Sequence, residues 1–128
     1  MNGDRYVLDT NAVIALLRGH LGLQRFLRDA TWVGISIISK LEFLVFPNLT
    51  DADEALFNRF LERVDVVDLT DGNVSLQRLV IKLRKDFALK LPDAIIVATA
   101  LDAKANLLTD DQRLLRSGAP ATKPIPAD

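Results

Sequence analysis

Leu91-Pro92-Asp93-Ala94-Ile95-Ile96-Val97-Ala98-Thr99-Ala100-Leu101 is the stretch on which the fold turns. It reads as a helix start. Pro92 suits the first helical position, where its missing N–H costs nothing, and Asp93 follows in the first turn, where the positive helix end favours a carboxylate. From Ala94 to Leu101 only Thr99 is polar, so the helix is apolar on almost every side and is expected to be buried rather than amphipathic. Asp93 then stands at the lip of the core. Alone it is an ordinary first-turn acid; its interest comes from similar acids that follow other apolar runs.

Working outward, Tyr6-Val7-Leu8 is a short apolar run with β propensity that ends at Asp9-Thr10-Asn11, residue types that favour turns and caps. A helix is expected from Ala12 to Arg18, closed by Gly19, and another from His20 to Asp29. His20, the only histidine, reads as a surface residue without a catalytic role. Trp32 to Ile38 is the second strand candidate. Ser39-Lys40-Leu41-Glu42 matches a capping box, opening a helix from Leu41 to Phe46 that stops at Pro47. Thr50-Asp51-Ala52-Asp53 opens the next, with Leu56, Phe57, Phe60, Leu61 and Val64 at helical spacing. Val66 to Leu69 is a third strand candidate, and Val74 to Phe87 a long helix with Lys82, Arg84 and Lys85, then Lys90, on a basic side. Such a side is either a solvated face or a set of contacts to an RNA backbone. The Asp93 helix is expected to reach about Ala105. Asn106 to Thr109 makes a fourth strand ending at Asp110-Asp111, followed by a short helix from Gln112 to Ser117. Thr122 to Pro126 forms a last short strand, confined by its prolines to a sheet edge.

Strands alternating with helices give βαβ units and a mostly parallel sheet covered on both faces. Ligands bind such sheets beyond the carboxyl ends of the strands. Asp9 and Asp110-Asp111 come directly after strand candidates, Glu42 about a turn after another, and Asp93 begins a helix. Each has a plain structural reading as a turn residue, a capping partner or a first-turn acid. Together they can share one edge, where several carboxylates repel unless protonated or neutralised by a cation. Their oxygens suit Mg²⁺ or Mn²⁺, and with no cysteine and one histidine the set argues against zinc. The chemistry implied is metal-assisted attack of water on a phosphodiester.

Composition bounds the rest. A chain of 128 residues, 49% hydrophobic, fits one domain spanning 1–128 with a real core. A formal charge of −1 excludes a globally basic nucleic-acid binder, so RNA contact must come from a local patch or a metal. There is no apolar run of membrane-spanning length and no signal-peptide pattern, so no membrane association and a cytoplasmic location are expected. The large apolar groups between Phe43 and Phe60 point to core packing combined with a subunit contact.

Leu8-Asp9-Thr10-Asn11, Ser39 to Glu42, the Asp93 stretch from Leu91 to Ala100, and Leu107-Leu108-Thr109-Asp110-Asp111 together resemble the PIN-domain family, and within it VapC-like toxin ribonucleases of toxin–antitoxin pairs. The resemblance runs from about Tyr6 to Ile125. It implies an α/β/α sandwich with a central, mostly parallel five-stranded sheet, Mg²⁺- or Mn²⁺-dependent endoribonuclease activity, homodimerisation, and inhibition by a cognate antitoxin. It carries Asp9, Glu42, Asp93 and Asp111 over as the four catalytic and metal-binding acids. Asn11 and Thr109 are carried over as supporting polar positions, and Asp110 stands beside the fourth acid as a further supporting candidate. Alternatives in other classes are an RNA-processing PIN nuclease that is not a toxin, a non-catalytic scaffold for RNA or a partner, and an aspartyl-nucleophile phosphatase of the haloacid dehalogenase kind. The phosphatase would prefer an acid where Asn11 stands. A response-regulator receiver would need a phosphoacceptor Asp at the end of the middle strand, and none is matched.

Overall fold

A computed structural model describes residues 4–128; residues 1–3 of the expected single domain lie outside the described residues. Five strands form one all-parallel sheet in the order β3-β2-β1-β4-β5. These are β1 (Arg5–Leu8), β2 (Trp32–Ser36), β3 (Asp65–Val67), β4 (Asn106–Thr109) and β5 (Thr122–Pro124). Among the described residues seven helices connect them: α1 (Thr10–Leu17), α2 (Leu21–Arg28), α3 (Ile37–Leu44), α4 (Asp51–Leu61), α5 (Val74–Phe87), α6 (Leu91–Asp102) and α7 (Gln112–Arg116). The expected sandwich is therefore present, with β1 central and β5, the proline-bearing strand, at an edge where a missing donor does no harm.

The layers follow from the period of two along the strands. Val7 and Leu107 face one side, where they pack with Leu76, Val80 and Leu83 of α5 and the buried run of α6. Tyr6, Leu8 and Leu108 face the other, where α1, α2, α3 and α4 deliver Val13, Leu23, Phe43, Phe57 and Phe60. Phe43 and Phe57 stack with ring centroids 4.0 Å apart, and Phe60 continues the stack at 6.2 Å. Three of the four phenylalanines of the Phe43–Phe60 region, Phe43, Phe57 and Phe60, are thus core residues. Leu41, Val45, Phe46 and Leu56 from the same region are exposed. Helix α6 is as apolar as expected: Ala94 to Ala100 are all buried, and the one polar side chain among them, Thr99, donates its hydroxyl to the Ile95 carbonyl.

Some local readings are corrected. Helix α3 starts at Ile37, not Leu41, because Ser36 takes the cap and accepts from the Ile38 N–H. Ser39 is inside the helix and buried, its Oγ without a partner, so the Ser39–Glu42 capping box does not form. The capping box that does form joins Thr50 and Asp53 at the start of α4. Lys90 caps α6 without a side-chain bond, which makes Pro92 its second residue. His20 is the N-cap of α2, its Nδ1 accepting from the Leu23 N–H. The Asp128 carboxylate approaches the same Nδ1 to 3.8 Å. Gly22 lets the carboxyl-terminal tail cross α2, since a Cβ there would overlap the Ala127 carbonyl.

Candidate active site

The strand order reverses direction between β1 and β4, and the carboxyl ends of those two strands carry Asp9 and Asp110-Asp111. This is the switch point at which open α/β sheets bind ligands. A cleft of about 350 Å³ opens there, lined by Asp9, Thr10, Asn11, Glu42, Val45, Phe46, Asp93, Ile96, Asp111 and Leu114. Four acids from four separate places in the chain therefore meet on one surface: the end of β1, the middle of α3, the first turn of α6 and the cap of α7.

Each acid reaches the cleft for a local reason. Asp9 is the N-cap of α1. One oxygen accepts from the Ala12 N–H at 2.8 Å and the other from the Thr109 hydroxyl. The same hydroxyl accepts from the Asp111 N–H at 3.0 Å, which ties the ends of β1 and β4 together. Glu42 accepts the Thr10 hydroxyl at 2.7 Å on Oε1. Asp111 caps α7 through Oδ1, accepting from the Arg113 and Leu114 N–H groups. Asp110 is exposed and is not among the residues lining the cleft.

The electrostatics record the crowding. Burial pushes the Asp9 carboxyl up to about 6; its bonds to Thr109 and Ala12 oppose the rise, and the nearby charges of Asp110 and Asp111 add to it. Asp93 is also raised, first by burial and then by Asp111 and Glu42, while Lys90 and Arg113 pull it back. Among the described residues the only pairing of a lysine or arginine with an acid is Lys82–Asp86 at 2.9 Å, so no cation is paired with a cleft acid.

A hard divalent cation fits this donor set in kind. The cleft offers carboxylates, burial and neighbouring charge raise Asp9 and Asp93, and Oε2 of Glu42 and Oδ2 of Asp111 are not used by the bonds described above. Among the described residues no three acidic or histidine side chains are gathered tightly enough to hold an ion as they stand. That arrangement suits an ion that keeps most of its water and takes only one or two carboxylates directly.

The other candidates separate. Asn11 lines the cleft and is exposed. Thr109 lies behind it, fully buried, as a support for Asp9. On the basic side, Lys82 is paired with Asp86, and Arg84 donates to the Leu89 carbonyl in the α5–α6 turn. Lys85 is exposed on α5, and Lys90 is close enough to act on Asp93. Sequence reasoning missed Thr10, Arg113 and the apolar wall of Val45 and Phe46. Their only signal was adjacency to an acid or to an apolar run.

The family model described as PIN domain matches residues 6–119. The chain belongs to the PIN domain family. Among solved structures, this PIN domain is similar to a toxin–antitoxin complex from Klebsiella pneumoniae, at 25% identity and a TM-score of 0.78, covering 96% of this chain and 99% of that one. It also shares its fold with VapBC2 from Rickettsia felis bound to a promoter DNA fragment (18% identity, TM-score 0.74, 94% and 98% covered). A third similar structure is DNA-bound VapBC from Salmonella typhimurium (20% identity, TM-score 0.70, 94% and 96% covered). No curated protein matches the chain. Among the described residues no helix is long and apolar enough to cross a membrane.

Proposed function

We propose that this PIN domain is a Mg²⁺- or Mn²⁺-dependent endoribonuclease and the toxin of a toxin–antitoxin pair. The observation that carries the reading is the convergence of Asp9, Glu42, Asp93 and Asp111 on one cleft without an ion-paired cation among the described residues. Asp9, Glu42, Asp93 and Asp111 would hold the metal, directly or through its waters. The metal would supply an activated water and charge stabilisation at the phosphodiester. The chain's own residues do the rest. Thr109 and the start of α1 hold Asp9 in place, and the N–H groups of α7 hold Asp111. Lys90 and Arg113 counter the acid charge beside Asp93, where RNA phosphates must approach.

The toxin assignment is supported by the similar complex from Klebsiella pneumoniae, which is described as a toxin–antitoxin pair. The surface next to the cleft fits a protein partner. A second pocket of about 340 Å³ is walled by Ile14, Leu17, Phe43, Leu49 and Leu56, and Phe46 lines both this pocket and the acid cleft. An antitoxin tail would bury apolar residues there and place an Arg or Lys against the acids. A homodimer would use part of the same exposed apolar set, and a cytoplasmic site of action would fit an RNA substrate.

Purified protein mixed with an RNA pool tests the reading. Cleavage that requires Mn²⁺ or Mg²⁺, stops on chelation and is absent in Asp93→Asn supports it. Cleavage that persists in Asp93→Asn overturns the site. Co-expression with the neighbouring reading frame tests the pairing: a partner that co-purifies and leaves cleavage intact would rule out the inhibitory arrangement. Sedimentation at micromolar concentration should give twice the 14.2 kDa chain mass.

A further inference from the structure

We propose that Thr10 is a positioning residue for the cleft: its hydroxyl, donated from the first turn of α1, holds the Glu42 carboxylate of α3 toward the other acids. The inference rests on the nuclease reading for its consequence, but not for its geometry. Thr10 directly follows Asp9, the N-cap of α1, and Asp9 itself accepts from the Ala12 N–H. The Thr10 hydroxyl is therefore not needed as a cap. It donates instead to Glu42 Oε1 at 2.7 Å, across 32 residues of sequence and between two helices.

The bond opposes a real tendency. Glutamate has three rotatable side-chain bonds and loses that freedom when held. Glu42 is half-buried near the mouth of the cleft, and its charge acts unfavourably on Asp93 across it. Unrestrained, the side chain would swing outward, away from like charge and into water. The Thr10 hydroxyl favours the inward arrangement and occupies Oε1, so Oε2 is left for a cation or its water.

Thr109 performs the same service for Asp9 from β4. Two threonine hydroxyls thus link β4 to the start of α1, and the start of α1 to α3. Among the described residues no three acids are gathered around one point, and the orientations of Asp9 and Glu42 rest on these supporting bonds. Groups that orient metal ligands typically change affinity or activity by about 10–100-fold when removed.

Thr10→Val keeps the shape and removes the hydroxyl; Thr10→Ser keeps the hydroxyl and removes a methyl. The first readout needs neither metal nor RNA: NMR couplings of the Glu42 side-chain methylenes. They should report one rotamer in wild type and in Thr10→Ser, and rotamer averaging in Thr10→Val. With Mn²⁺ as the probe, Thr10→Val should bind about 10–100-fold more weakly, with kcat lowered and KM nearly unchanged. Thr10→Ser should restore binding and kcat, and Thr10→Val should add nothing in a Glu42→Ala background, where the acceptor is gone. Unchanged Glu42 couplings in Thr10→Val would overturn the proposal, as would failure of Thr10→Ser to restore Mn²⁺ binding. Couplings that respond as expected in a wild-type protein that cleaves no RNA would uphold the positioning role and sink the nuclease reading.

Discussion

The two ends of the sheet treat charge in opposite ways. At the amino end, Arg5 opens β1 beside Trp32, its register partner on β2. The guanidinium lies 4.6 Å from the Trp32 ring centroid and donates to the Ala103 carbonyl at 2.9 Å. The indole N–H donates to Asp65 at the start of β3. Gly34 makes room for the ring, since a Cβ there would overlap it. This end is closed: its cation, aromatic ring and acid satisfy one another. At the carboxyl end Asp9, Glu42 and Asp111 are held by neutral donors, Thr10, Thr109 and backbone N–H groups. Those donors fix position without cancelling charge. The amino end is built for stability, while the carboxyl end leaves its acids uncompensated at some cost in stability, as the proposed ligand site requires.

The sharpest way to break this comparison is activity. Asp9→Asn and Asp93→Asn should each lower RNA cleavage by about a hundredfold or more, whereas Trp32→Ala should leave kcat within about twofold. Matched cleavage assays at a temperature where every variant is folded decide it. Comparable losses at both ends would remove the division of labour.

The next effect is in pH dependence. Asp9 is raised from 3.8 to about 6 in the fold, so the native state binds this proton more tightly than the unfolded chain. Stability of the metal-free protein should therefore fall as pH rises from about 4 to about 6, with the penalty fully present above that range. The shift corresponds to about 3 kcal/mol. Asp93, also raised by burial and like charge, acts in the same direction. Urea titrations between pH 4 and 7 should show this fall in wild type and a clearly smaller one in Asp9→Asn. A metal-free wild type that gains stability over that range would contradict the account.

The amino end gives the complementary test. Trp32→Ala should cost about 2–3 kcal/mol by denaturant unfolding, below the range for a fully buried tryptophan because the ring is only half-buried. The cost should be nearly the same with and without Mn²⁺, since nothing at that end binds the ion. A Trp32→Ala penalty that depends on the metal would couple two ends held here to be independent.

The smallest effect is on the melting temperature. Mn²⁺ at ten times its Kd should stabilise the native state by about 1.4 kcal/mol, a rise of about 4–6 °C for a domain of this size. Asp93→Asn should respond less, and without metal it should melt at or above wild type because one repulsive charge is gone. A metal-free Asp93→Asn that is markedly less stable would return Asp93 to the role of a helix-start residue.

How far the sequence was legible varies from residue to residue. The bounds of α5 and β4 and the burial of α6 could be read directly, because a 3.6-residue period or an unbroken apolar run admits few alternatives. Around Ser36 the reading failed. Ile35, Ile37 and Ile38 suit a buried strand and a buried helix equally. The choice was made by β2 pairing with β3 as far as Ser36, opposite Val67, which leaves Ser36 to cap the helix. Ser39 and Glu42 then fall inside α3, and the local capping signal loses to the longer-range pairing.

The acids divide along the same line. Asp9, Glu42, Asp93 and Asp111 were visible as lone carboxylates after apolar runs, because strand ends and helix starts are local features. The supports that aim them were not. Thr109 meets Asp9 across 100 residues and Thr10 meets Glu42 across 32, while Arg113 acts on Asp93 from another helix, α7. The chain alone showed which acids are candidates for the proposed chemistry and in what order they occur. Only the tertiary structure decided that they share one cleft and which hydroxyl holds which carboxylate, because those contacts exist only once parallel strands have brought distant segments to the same end of the sheet.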